Sequence, residues 1–147
     1  MDKQSAQQEK AASSNHPRPL ALVADDEPYI GATLVEILQE EGFDALCVSD
    51  GESAFFWAKQ AKPDYVISDI IMPRLNGIDL AKKILAVLPK TRIILFSGHP
   101  GSVELLEKAS AEGWNFEVLS KPVKPDLLLA QMKNEQYWRR KIRTATG

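Results

Sequence analysis

Asp25 and Asp26 stand side by side directly after the apolar run Leu20–Ala24. Asp69 follows Tyr65–Ser68, Ser97 follows Arg92–Phe96, and Lys121 comes two residues after Phe116–Leu119. Each polar group therefore sits just past the end of a short β-rich run. Three carboxylates gathered at one edge would repel strongly unless a cation lay among them, and an all-oxygen donor set selects a hard ion such as Mg²⁺. Such an ion keeps exchangeable water positions that phosphate oxygens can take. A lysine ammonium and a serine hydroxyl beside it can hold the remaining phosphoryl oxygens as charge spreads over them. A carboxylate in that setting can act as the nucleophile, which assigns Asp69 the role of phosphoryl acceptor.

For these residues to meet, the runs that carry them must be parallel strands, because ligands in such sheets bind outside the carboxyl ends of the strands. The pattern from Leu20 onward supports this, since short apolar runs alternate with longer amphipathic ones. After the first strand, Pro28 opens a helix that carries Ile30, Leu34, Ile37 and Leu38 at helical spacing and stops at Gly42. The second strand is read at Ala45–Val48, with a helix over Glu52–Ala61 that Pro63 closes. Tyr65–Ser68 is the third strand and Ile78–Leu88 the third helix. The fourth strand is Arg92–Phe96, and Ser102 is read as the cap of a helix running to about Glu112. Phe116–Leu119 is the fifth strand, and Pro125 opens a last helix through about Tyr137. The expected architecture is α/β: a doubly wound (βα)₅ with a five-stranded parallel sheet. Apolar strands such as RIILF fit a sheet covered by helices on both faces.

The chain of 147 residues is 44% hydrophobic and 26% charged, which suits one folded domain rather than a disordered segment. The expected divisions are a flexible N-terminal extension over 1–18, the domain over 19–137, and a basic C-terminal tail over 138–147. A net charge of −2 gives no global reason to expect nucleic acid or an anionic membrane. Arg139, Arg140, Lys141 and Arg143 are read as a solvated end that complements the dipole of the last helix. Cys47 is the chain's one cysteine, which excludes an internal disulfide, points to a reducing cytoplasmic compartment, and is expected to be a small buried residue. No apolar run is long enough to span a bilayer, and the N-terminus lacks the apolar stretch of a signal peptide.

The segments LVADDEP (Leu22–Pro28), SDIIMPRLNG (Ser68–Gly77), LFSG (Leu95–Gly98) and SKP (Ser120–Pro122) occur in this order at the ends of successive strands. Together they resemble the receiver domain of two-component response regulators, over about residues 19–137. The resemblance implies a flavodoxin-like strand order 2-1-3-4-5. It implies phosphorylation at Asp69, Mg²⁺ held by Asp25, Asp26, Asp69 and the backbone carbonyl of Ile71, Ser97 as the switch hydroxyl, and Lys121 as the cation paired with the phosphoryl group. It also implies a cis Lys121–Pro122 bond. The implied donor is a sensor histidine kinase or a histidine phosphotransfer protein. Output would come through partner binding on the face of the fourth helix, fifth strand and fifth helix, or through passing the phosphoryl group onward. Because about ten residues follow the last helix, the reading is a stand-alone regulator that catalyses only its own phosphorylation and dephosphorylation.

The resemblance departs at Val118, where many members carry an aromatic residue that rotates with the switch hydroxyl. Phe116 is the nearest aromatic. That departure motivates an alternative, an interaction module with a receiver fold that works without phosphorylation. His99 is read as a solvated loop histidine at the mouth of the site, and Phe55, Phe56 and Trp57 as a packing surface with at least one ring facing outward.

Overall fold

The computed structural model describes residues 17–146. The chain forms β1 (Leu20–Ala24), α1 (Pro28–Glu40), β2 (Asp44–Val48), α2 (Gly51–Ala61), β3 (Tyr65–Asp69), α3 (Gly77–Val87), β4 (Arg92–Ser97), α4 (Gly101–Ala111), β5 (Glu117–Ser120), α5 (Pro125–Met132) and α6 (Glu135–Thr146). The strands make one parallel sheet in the order β2-β1-β3-β4-β5, as expected. The expected extension over 1–18 falls almost wholly on residues outside those described. Arg18 is described, and its guanidinium donates to the carbonyls of Gly42 and Gln39 at the end of α1, where a cation complements the helix dipole.

Side-chain alternation divides the core into two layers. Leu22 and Ala24 of β1 with Ile93 and Leu95 of β4 face Ala54 and Ala58 of α2, Ile78, Ala81 and Ile84 of α3, and Ala109 of α4. Ala21, Val23, Ile94 and Phe96 face the other way, onto Leu34 and Leu38 of α1, Leu128 and Met132 of α5, and Trp138 of α6. Central β3 is buried at every position, whereas edge strand β2 has no buried residue. That edge position corrects the expectation for Cys47. The residue is exposed, with its thiol packed toward Gly31, where a Cβ would collide with the sulfur.

Two helix boundaries differ from the sequence reading. Ser102 does not cap α4; it lies one residue inside the helix, buried, and the ring of His99 accepts the N–H of Gly101 instead, at 3.0 Å. The single last helix expected through Tyr137 is two. α5 ends at Met132, and the Asn134 side chain accepts the N–H of Tyr137 at 3.2 Å to start α6. The residues read as a solvated tail thus begin with a core residue, since Trp138 is 2% exposed and donates its indole N–H to the Gln131 carbonyl. Arg92 fixes the start of α6 by a two-point contact with Glu135, at 2.6 and 2.9 Å, and also donates to the Tyr65 hydroxyl. Arg139 and Arg140 are exposed, as a basic end requires, while Lys141 is partly covered and donates to the Tyr137 hydroxyl.

Candidate phosphoacceptor site

Asp69 and Ser97 are the last residues of adjacent strands, so the strand ends themselves present the two side chains. Asp69 is 5% exposed. The chain then turns back over the end of β3: the Gly77 N–H donates to the Ile70 carbonyl at 2.7 Å, and any Cβ on Gly77 would run into the Asp69 carbonyl oxygen. Only glycine lets α3 start this close to the strand. Ile71, half-buried, lies in this loop.

Asp25 follows β1 and is buried, with its N–H on the Val48 carbonyl and its carboxylate accepting the Glu27 N–H at 2.8 Å. Asp26 and Glu27 are exposed beside it. Carboxylate oxygens of Asp25, Asp26 and Glu27 lie within 4.8 Å of one another, a hard oxygen donor set of the kind that takes Mg²⁺. Glu27 was not singled out in the sequence. Its signal was the unbroken acidic run before Pro28, which also reads as an ordinary solvated helix start.

Lys121 joins the two halves of the site. Its backbone N–H donates to the Ser97 carbonyl, the following peptide bond to Pro122 is cis, and its stem crosses Gly98, where a Cβ would come within 2.9 Å. The ammonium is 2.7 Å from Asp69 Oδ1, 3.4 Å from Asp25 Oδ2 and 3.9 Å from Glu27 Oε1. Burial pushes the Asp69 carboxyl up to about 7; Lys121 opposes this and the neighbouring Asp25 adds to it. For Lys121, burial works against the charged form, but Asp69 and Asp25 outweigh it and the ammonium is raised above its ordinary value.

The sign of the Asp69 shift gives a first expected result. A carboxyl raised in the folded state contributes stability that is complete below its unfolded value and lost as pH rises through about 7. In EDTA, Asp69→Asn should therefore melt above the parent at pH 8, with the gap closing toward pH 4. Equal melting temperatures across that range would contradict the assigned burial cost.

His99 is exposed at the mouth of the site, its ring held by Gly101. Val118 is half-buried and packs on the α2–α3–α4 side of the sheet. Phe116 lies flat on Trp114, with centroids 5.6 Å apart and planes at 11°. Its ring already has a packing partner.

The sequence and the fold have counterparts among known proteins. A family model described as "Response regulator receiver domain" matches residues 21–133. The chain is 29% identical over 116 residues to the DNA-binding response regulator MtrA of Mycolicibacterium smegmatis, covering 79% of this chain and 50% of that one. It is 32% identical over 105 residues to the chemotaxis protein CheY of Thermotoga maritima, covering 71% of this chain and 86% of the relative. Among solved structures, Vibrio cholerae CheY4 superposes with a TM-score of 0.69 at 27% identity, covering 79% of this chain and 97% of that one. The signal receiver domain of an HD domain-containing protein from Pseudomonas fluorescens gives 0.70 at 27%, covering 88% and 90%. The chain spans about half the length of the MtrA relatives it matches. With the family model spanning most of the chain and the sheet in the order 2-1-3-4-5, the chain belongs to the response regulator receiver domain family.

Proposed function

We propose that Asp69 accepts a phosphoryl group from a phosphohistidine and that the resulting acyl phosphate is the protein's signal. The observation that carries this reading is the Lys121 ammonium 2.7 Å from a buried Asp69 carboxylate. An Asp69 carboxylate oxygen attacks phosphorus and the P–N bond to the donor imidazole breaks; the bonding pair stays on that nitrogen, and because the other ring nitrogen of the donor carries a proton, neutral imidazole leaves. Lys121 then moves from the carboxylate to a phosphoryl oxygen, and the Ser97 hydroxyl donates to another. Asp25, Asp26, Asp69 and the Ile71 carbonyl would hold Mg²⁺, with Glu27 close by; when bound, the ion supplies positive charge against the phosphoryl oxygens.

Receiver domains are signalling modules of two-component systems, and the donor in this reading is a sensor histidine kinase or a histidine phosphotransfer protein. The domain comprises the five-stranded sheet and its helices, with α6 packed on the core through Trp138, and acts in the cytoplasm. Among the described residues no helix is long and apolar enough to cross a membrane. It catalyses only its own phosphorylation and dephosphorylation. Output passes through α4, β5 and α5, as two conformations of that face change in population, or through onward transfer of the phosphoryl group.

Incubation with acetyl phosphate and Mg²⁺ should add about 80 Da, one phosphoryl group, to the intact protein, and Asp69→Ala should abolish the gain. No gain with fresh donor would sink the reading. The second reading, a phosphorylation-independent interaction module, draws on Val118 and on the stacking of Phe116 against Trp114. It requires Asp69→Asn to leave partner binding unchanged.

A further inference from the structure

α2 and α3 lie side by side on one face of the sheet, and their C-terminal halves carry features that the phosphoacceptor site does not use. Phe56 and Trp57 are 53% and 46% exposed and pack edge to face on each other at 5.4 Å. Lys59 of α2 and Lys83 of α3 both stand over the ring of Phe55, at 4.4 and 5.6 Å, joining the two helices across the outer surface. One turn further along α3, Val87 follows Lys83 on the same helical side, and Lys62 stands just past the end of α2, where its left-handed backbone turns the chain toward β3. Lys62, Val87 and Lys90 then line an open cleft of about 430 Å³ whose remaining walls include Pro63, Leu88 and Pro89. Val87 is 52% exposed there.

Among the described residues, none of Lys59, Lys62, Lys83 and Lys90 has a carboxylate within 4 Å. The carboxylate in the cleft lining, Asp64, instead accepts the Leu20 N–H at 2.8 Å. Single exposed apolar residues are ordinary, but three large ones on two adjoining helices, beside four unneutralised lysines and a concave floor, are not. We propose that the C-terminal halves of α2 and α3 form a docking face for an acidic, apolar segment of a partner protein.

Charge complementarity selects the occupant. The lysines call for carboxylates, the aromatic pair and Val87 for apolar side chains, and a cleft of this size accepts one or two anchoring residues. A flat anionic bilayer would leave the cleft unfilled, and a chain of net charge −2 lacks the basic excess that holds a nucleic acid. The cleft is built from residues before β3 and before β4, the edge of the sheet opposite Asp69. Five strand residues at about 3.3 Å each separate the two edges by roughly 17 Å. The docking face shares no residue with the phosphoacceptor site, so on this proposal docking is independent of phosphorylation and apart from the function proposed above.

The test uses the full chain and fluorescence anisotropy of short labelled peptides: a helix-forming peptide with Leu and Phe on one side and Glu on the other, its Glu-to-Lys counterpart, and a Glu-rich peptide without apolar residues. The acidic amphipathic peptide should bind, equally with and without acetyl phosphate and Mg²⁺, and equally to Asp69→Ala. Phe56→Ser/Trp57→Ser and Lys59→Glu/Lys83→Glu should each weaken it at least about tenfold, and the second pair should gain affinity for the Lys counterpart. All four positions are on the surface, and circular dichroism checks that the variants are folded. Several results overturn the proposal: no binding up to about 1 mM, binding unaffected by both double variants, or binding only after phosphorylation. So does equal or tighter binding by the Glu-only peptide, a single-stranded RNA or phosphatidylglycerol vesicles. Loss of the mass gain at Asp69 would leave this result untouched.

Discussion

Lys121→Met should open a stability gap below the parent that grows above pH 7 by about 1.4 kcal/mol per pH unit. The gap should head toward the roughly 3–5 kcal/mol that follows when one partner of a buried ion pair is removed. The reason lies in the two buried carboxylates. Asp25 and Asp69 are 1% and 5% exposed, and the Lys121 ammonium reaches both. With Lys121 in place the Asp69 carboxyl stands at about 7. Burial and Asp25 already raise it, and Lys121 is the group that opposes them, so its loss raises it further. Below about 7 the parent and the variant both hold Asp69 protonated and lose stability in parallel as pH rises. Above 7 the parent has finished and the variant continues to lose. Urea unfolding in EDTA at pH 6 and pH 9 reads this directly, and adding Asp69→Asn to Lys121→Met should remove the growth of the gap between these two pH values. Parallel curves across that interval would show that Lys121 does not carry the assigned electrostatic role. In the same variant, phosphorylation by acetyl phosphate should slow by at least about a hundredfold, the usual effect of removing one group that stabilises transition-state charge.

The parts of the site that were legible in the sequence are those governed by topology. Once the runs ending at Ala24, Asp69, Ser97 and Ser120 are parallel strands, Asp25, Asp69, Ser97 and Lys121 must share one edge, whatever the loop details. Glu27 was missed because an acid at the exposed N-cap of a helix looks the same whether or not it leans toward a neighbouring ammonium. The expectation for Cys47 rested on residue type, whereas the implied order 2-1-3-4-5 already puts its strand at the sheet edge, where a small apolar residue is not enclosed. The cap of α4 fell to His99 rather than Ser102 because a ring nitrogen two residues before the helix reached the N–H first. For Glu27 and Cys47 a tertiary placement decided what local preference could not, whereas at α4 one local contact displaced another.

The break before α6 was the largest structural feature the sequence hid, and it carries the second large effect. Lys133 and Asn134 are not strong helix breakers, and the basic residues from Arg139 onward suggested a solvated end. Trp138 decides otherwise, because a buried indole makes the helix part of the core. Trp138→Ala should cost about 3–5 kcal/mol in urea unfolding, the transfer loss of the ring plus the cavity it leaves. The loss should also loosen the contacts that depend on the docked helix: the indole bond to Gln131, the edge-to-face packing on Tyr137 at 4.9 Å, and the Arg92–Glu135 pair. Trp138→Phe, which keeps most of the apolar area, should recover more than half of that stability. A cost below about 1 kcal/mol would mean that α6 is not docked and would return residues 138–147 to a tail. The same variant separates the two ends of the sheet. Glu135 meets Arg92 at the start of β4, whereas Asp69 lies at the end of β3. Trp138→Ala should therefore leave the mass gain with acetyl phosphate intact under conditions where the protein remains folded. If it abolished the gain in folded protein, α6 would be coupled to the phosphoacceptor site through the sheet.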